Sequence, residues 1–156
     1  MLVRVLNRIA AIRGATFRSV ARFATVTRVA HVVVAVLLLG VALFDLEAEE
    51  FHGDESHWVT SSQLAYDLII SGDVDSPVWH EQFYLYSQPQ LGKVAIGASL
   101  AAGGVSGSTG VIEYDWMLDP DANRARGAIP GSGTLWFGRL PGALAGWLAA
   151  VVLWAI

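Results

Sequence analysis

The chain has no cysteine. An oxidising compartment stays open to it, but a disulfide framework and a thiolate metal site do not. It has no acid before Asp45 and only four bases after Arg28: Lys93, Arg124, Arg126 and Arg139. It is poor in charge, at 15% against 54% hydrophobic, which is unlike the average soluble domain. No internal repeat is present. No aromatic stacking motif accompanies the bases, which argues against nucleic acid as a partner.

The longest apolar run is Val29 to Phe44, interrupted only by His31 and Gly40. Extended to residues 26–46, it matches the about 20 helical residues that a bilayer core of roughly 30 Å requires. Charge changes sign across it. Arg4, Arg8, Arg13, Arg18, Arg22 and Arg28 precede it, and all fourteen acids follow. The net charge of -4 therefore averages two opposite regions. The positive-inside rule predicts a cytoplasmic N-terminus and an acidic region on the far side.

Three readings of the basic start compete. A cleaved signal peptide needs a shorter apolar core and a small-residue cleavage site, and no A-x-A follows Phe44. An organellar transit peptide shares the Arg-rich, acid-free composition. Leu2, Val5, Leu6, Ile9 and Ile12 recur at helical spacing, so an amphipathic helix lying on anionic lipid is the preferred expectation.

Beyond the run, Gly53 breaks the chain. Asp54 is placed to N-cap a helix over 54–71, with Glu55 in its first turn where an acid suits the dipole. Trp58, Leu64, Ala65, Leu68 and Ile69 share one side of it, and Gly72 stops it. The expectation is an amphipathic helix that lies on the outer membrane face or packs on the transmembrane bundle. Pro77 and Pro89 forbid a continuous helix through the aromatic stretch 73–90, whose Trp79, Phe83, Tyr84 and Tyr86 suit a membrane–water interface. Residues 91–102 read as a second interfacial helix, in which Gly92, Gly97 and Ser99 would let another backbone approach. Residues 111–138 read as irregular, with DPDANRARG as a turn. Arg139 opens a second span, 139–156, with Pro141 in its first turn. That run is still apolar at Ile156, and no bases follow it as they should on return to the cytoplasm. The expectation is the start of a larger polytopic protein.

The carboxylates Asp54 and Glu55 are the sharpest chemical candidates. A carboxylate there suits a general base acting on an acceptor. A pair also suits a divalent cation bridging a phosphate, the only cofactor this pattern suggests. The plainer alternative is a helix cap and a solvated first-turn acid. His52, Asp54, His57, His80 and Glu81 contain zinc-type ligands, but His52 and His57 stand five apart and not three or four. No metal site is assigned; His52 and His57 are the nearest candidates, and histidines with wet interfacial tips are the plainer reading. Lys93 and Arg139 flank the two membrane-associated segments and suit a lipid phosphate, or simply snorkel at helix ends. His31 reaches the interface or packs on a neighbouring helix.

The order of these features resembles the N-terminal part of the GT-C glycosyltransferases that use polyprenyl-phosphate sugars. A membrane helix, D-E at its outer end, an amphipathic helix, an aromatic stretch with Q-P-Q-L-G-K, and a helix opening R-L-P-G-A-L-A-G follow one another over residues 28–156. The chain looks like the dolichyl-phosphate-mannose protein mannosyltransferases and the bacterial aminoarabinose and related lipid-carrier transferases. In the former, D-E is followed by H-P-P-L-G-K; here Gln88 stands for the His and Gln90 for the second Pro. The resemblance implies that Asp54 is catalytic with Glu55 in support, and that Lys93, Gln88 and Arg139 bind substrate. It implies a polyprenyl-phosphate sugar donor, with mannose as the sugar of the nearer likeness, and a protein or lipid hydroxyl as acceptor. Such enzymes have many more membrane helices than two, so a two-span piece alone would be inactive.

The expected architecture is an all-α membrane protein. It has a basic cytoplasmic or surface segment (1–25), a transmembrane helix (26–46), a non-cytoplasmic loop (47–138) with interfacial helices at 54–71 and 91–102, and a second transmembrane helix (139–156). The expected function is lipid-carrier-dependent sugar transfer. The alternative is a non-enzymatic two-span protein whose outer loop binds a partner or metal, and a third reading is a membrane-anchored metal-dependent hydrolase using the His/Asp/Glu cluster.

Overall fold

The computed structural model describes residues 27–48, 50–105 and 111–155. The basic segment 1–25 lies outside these. Among the described residues every regular element is a helix, in keeping with the all-α expectation. They are α1 (Thr27–Leu43), α2 (Asp54–Ile70), the single turns α3 (Val78–Glu81) and α4 (Phe83–Tyr86), α5 (Gln90–Ala102), α6 (Pro120–Arg126) and α7 (Ser132–Ala155).

α1 and α7 run side by side and antiparallel. The Trp147 indole N–H donates to Ala35 O at 2.8 Å, the His31 and Trp154 rings lie 5.8 Å apart, and Arg139 donates to Leu46 O at 2.7 Å. Rising numbers on α1 thus meet falling numbers on α7. Their outer faces are apolar and exposed: Val32, Val36, Leu37 and Val41 on α1, Leu148 and Leu153 on α7. α7 is the one helix among the described residues long and apolar enough to cross a membrane; α1 as described is shorter. α1 stops at Leu43, not at 46 as expected. Asp45 takes the left-handed conformation (φ 57°), which a short polar side chain tolerates, and the chain turns there.

The remaining elements form a layer at the Leu46/Arg139 end. α2 is its central helix. It packs chiefly on α5, with α4 and the first turns of α7 also against it. It therefore packs on neighbouring helices, one of the two expected settings, but its burial is not confined to the one apolar side expected. Ser56, His57, Ser61, Ser62 and Gln63 are buried along with Val59, Ala65 and Leu68, whereas Ile69 is exposed. Periodicity misled because the helix is covered on polar flanks too. Close backbone approach makes up for the small apolar core of Ala65, Leu68 and Leu85. A Cβ on Gly97 would stand 2.4 Å from Ser62 O, so only glycine permits this α2–α5 contact. Gly92 has no such role; its nearest neighbour, the Trp58 ring, would be 3.9 Å away.

Asp54 is the first helical residue and not the cap. Gly53 is the N-cap, held there because any Cβ would meet the Trp116 and Tyr114 rings at 2.7–2.8 Å. Glu55 reaches back instead and accepts from the His52 amide at 2.9 Å. At the far end Gly72 (φ 76°) closes α2, with Asp73 N–H donating to Leu68 O and Gly72 N–H to Ile69 O.

Residues 111–138 are not irregular throughout. α6 has Asp119 as N-cap, accepting from Ala122 N–H at 2.8 Å, Pro120 at the start and Gly127 (φ 84°) at the end. α7 begins at Ser132, seven residues before Arg139, because its first two turns pack on α5. Pro141 therefore lies inside the helix, not in its first turn. Proline has no N–H to give to the carbonyl four residues back. That carbonyl, Phe137 O, accepts instead from Ser99 Oγ of α5 at 2.7 Å.

Candidate functional site

The site lies where the helix pair meets the outer layer. Glu55 in the first turn of α2 faces Arg139 of α7. Arg139 Nε donates to Oε1 at 2.6 Å and Nη2 to Oε2 at 2.9 Å, a two-pronged pair. The same guanidinium donates to Leu46 O at 2.7 Å and to Glu50 O at 3.4 Å. It thereby ties α2, the chain leaving α1, and α7 at one point. Both side chains are mostly covered, at 14% and 24% exposure. Burial pushes the Glu55 carboxyl up. The hydrogen bonds from Arg139 and the His52 amide, with the charges of Arg139 and His52, outweigh it and hold Glu55 below its ordinary value.

Beside the pair is a cavity of about 220 Å³, lined by Glu55, Trp58, Val59, Ile96, Leu135, Gly138 and Arg139. Its walls are apolar and its polar atoms are those of the ion pair. Residues at helical spacing build it: Trp58 and Val59 follow Glu55 by three and four on α2, and Leu135 precedes Arg139 by four on α7. Ile96 closes it from α5.

Asp54 does not line this cavity. It points outward with more than half its side chain exposed, and its Oδ2 lies 3.5 Å from His52 Nδ1. The adjacent acids thus divide: Glu55 is engaged on both oxygens, and Asp54 is open to solvent.

Lys93 and Gln88 are brought together, but away from the cavity. Lys93 is fully buried, and its ammonium donates to Leu85 O at 2.7 Å and to Gln88 O at 3.5 Å. No carboxylate pairs with it among the described residues. Burial holds its pKa below the ordinary lysine value. In this structure it ties α5 to the end of α4 and is not presented to solvent. Arg139, the third expected substrate-binding residue, faces the cavity alone.

His52 and His57 do not share a site. His52 sits by Asp54 and the Trp116 ring, 5.7 Å between centroids. His57 is buried and stacks on Tyr84 at 4.1 Å, with Glu113 Oε2 at 3.8 Å from its Nδ1. Among the described residues neither ring nitrogen of His57 has a hydrogen-bond partner, nor do the hydroxyls of Ser61 and Ser62. Among the described residues no three His, Asp or Glu side chains gather as a metal would require.

Sequence reasoning passed over Asn123. Fully buried, it accepts from the Asp115 amide at 2.9 Å and donates to the carbonyls of Asp115, Leu118 and Asp119. It shapes the loop before α6, against which Gly53 is packed. The signal was present: Asp-Pro followed seven residues later by Gly is a helix with both ends marked.

Comparison with protein-family models, with curated proteins and with solved structures gave no match.

Proposed function

We propose that this chain forms part of a membrane glycosyltransferase. It would transfer a sugar, mannose by the nearer resemblance, from a polyprenyl phosphate to a hydroxyl of a protein or lipid. α1 and α7 then cross the bilayer as a pair, with the N-terminal bases in the cytoplasm and the layer of α2–α6 on the opposite side. Their antiparallel contact and apolar outer faces support this arrangement.

The observation that carries the catalytic reading is the setting of Asp54. It is an exposed carboxylate directly next to the Glu55–Arg139 pair, at the end of the helix pair, where a lipid-borne donor must present its sugar. Asp54 takes the proton from the acceptor hydroxyl as the oxygen attacks the anomeric carbon. The bond to the phosphate oxygen breaks, and polyprenyl phosphate leaves with the electron pair. Arg139 keeps Glu55 ionised and in place beside it. A divalent cation would be held by the exposed Asp54 carboxylate; among the described residues no group of three His, Asp or Glu side chains gathers around it.

One observation favours the non-enzymatic alternative. Glu55 and Arg139 satisfy each other inside the protein, as a purely architectural pair would. The test compares membranes carrying the full-length gene product with and without Asp54→Asn, supplied with labelled polyprenyl-phosphate mannose and hydroxyl acceptors. The reading expects at least a ~100-fold loss of transfer at unchanged protein level, the scale of a removed general base. Equal transfer by the two, or none by the wild type, overturns it.

A further inference from the structure

The loop of residues 115–119 combines a tied polar interior with an apolar tip. Met117 is 91% exposed, Trp116 59% and Leu118 38%. Three neighbouring large apolar side chains turned to water are unusual and mark a contact surface. The loop is also well fastened. Asn123 bonds four of its backbone groups, and the Asp115 carboxylate accepts from the Met117 amide at 2.9 Å and from Arg126 at 3.3 Å. Asp119 is likewise turned inward as the cap of α6. The acids of the loop are therefore engaged in its own hydrogen bonds while partly open to water, and the tip itself, residues 116–118, is apolar.

Its position identifies what covers it. The Trp116 ring stands against Gly53 and 5.7 Å from His52. Gly53 lies three residues past Glu50, whose carbonyl is bound by Arg139, the residue that also holds Leu46 O. The tip thus belongs to the level at which α1 ends and α7 leaves the outer layer. Phe44, 80% exposed, closes the apolar face of α1 at that same end.

We propose that Trp116, Met117 and Leu118 form an anchor that inserts into the headgroup–acyl boundary of the bilayer, in the leaflet at which α1 ends. Tryptophan at such a boundary keeps its ring in the apolar zone and its N–H wet. The charges beside the tip are paired, Arg124 with Asp121 and Arg126 with Asp115, so anionic lipid adds little and the insertion is driven by apolar burial. The proposal rests on the membrane reading of α1 and α7, but not on the sugar-transfer reading.

These 156 residues contain no cysteine, so a cysteine introduced among them is labelled singly once any elsewhere in the gene product is replaced by serine. Met117→Cys and Val36→Cys, each in the full-length gene product, are labelled with an environment-sensitive fluorophore in phosphatidylcholine vesicles. Nitroxide lipids at shallow and deep positions then report depth. A blue-shifted position 117 quenched by shallow nitroxides, with position 36 quenched by deep ones, is the expected result, unchanged when phosphatidylglycerol is added. Position 36 deep with position 117 in water, as for a protein-docking surface, overturns the anchor while leaving the membrane reading intact. Both positions in water overturn the two together. Insertion of 117 only with anionic lipid overturns the apolar mechanism.

Discussion

Glu55 and Arg139, 84 residues apart, meet through two parallel hydrogen bonds at 2.6 and 2.9 Å. The pair joins the start of α2 to α7, and its removal is felt in both. Arg139→Lys keeps the charge and loses the fork. It should cost about 1.5–3 kcal/mol, the worth of hydrogen bonds to a charged group. Thermal melts of the purified protein in detergent measure this, and an unchanged midpoint would show that the fork does not matter.

The same pair sets an acid limit. The folded-state pKa of Glu55 lies below its ordinary 4.5. Its stabilising contribution is therefore complete above 4.5 and is lost as pH falls from there through the lower folded value. Glu55→Gln should flatten the stability profile below 4.5 relative to the parent. Parallel acid slopes for the two proteins would count against it.

Lys93 acts at the opposite limit. Its folded-state pKa is lowered from 10.5, so the unfolded chain holds the proton to higher pH. Stability should rise as pH approaches 10.5 from the folded value, because the penalty for a buried ammonium disappears. Lys93→Met should remove that rise. It should also lower stability near neutrality, where the hydrogen bonds to Leu85 O and Gln88 O are lost. Denaturant midpoints across the alkaline range separate the two effects.

Two glycines of α5 should respond in opposite directions. Gly97→Ala drives a methyl to 2.4 Å from Ser62 O and from the Tyr66 Cβ, and should destabilise by about 1–3 kcal/mol as overpacking does. Gly92→Ala meets only the Trp58 ring at 3.9 Å and should stabilise by up to about 1 kcal/mol through helix propensity. Equal shifts in melting temperature would show that the α2–α5 approach is not fixed by Gly97.

Ser99 and Pro141 form a compensated pair, although they never touch. Ser99→Ala leaves Phe137 O with no donor and should cost about 1–2 kcal/mol. In a Pro141→Ala background the restored amide serves that carbonyl, so Ser99→Ala should cost little. A double-mutant cycle with additive effects would refute the link.

What could be read in advance followed local rules. α5 and the end of α2 at Gly72 obey propensity and glycine signals, and they fell within a residue of their expected bounds. What could not be read depended on contacts distant in sequence. The start of α7 at Ser132 requires α5 beneath it, and the buried serines of α2 look like a wet face until Tyr114, α4 and α5 cover Ser56, Ser61 and Ser62 in turn. Glu55 and Arg139 were each singled out, but nothing in the sequence joined them. α6 was the avoidable miss, since Asp119, Pro120 and Gly127 mark both its ends.

α7 runs continuously from Ser132 to Ala155, although Pro141 removes one rung of its hydrogen-bond ladder. Its first two turns carry Leu135, Gly138 and Arg139 at the cavity, and its remainder lies against α1. Pro141 stands between these two parts, two residues past Arg139. An interior proline is where a helix bends, so the half at the cavity and the half beside α1 meet at the weakest turn of α7, with the Glu55–Arg139 contact on the cavity side of it.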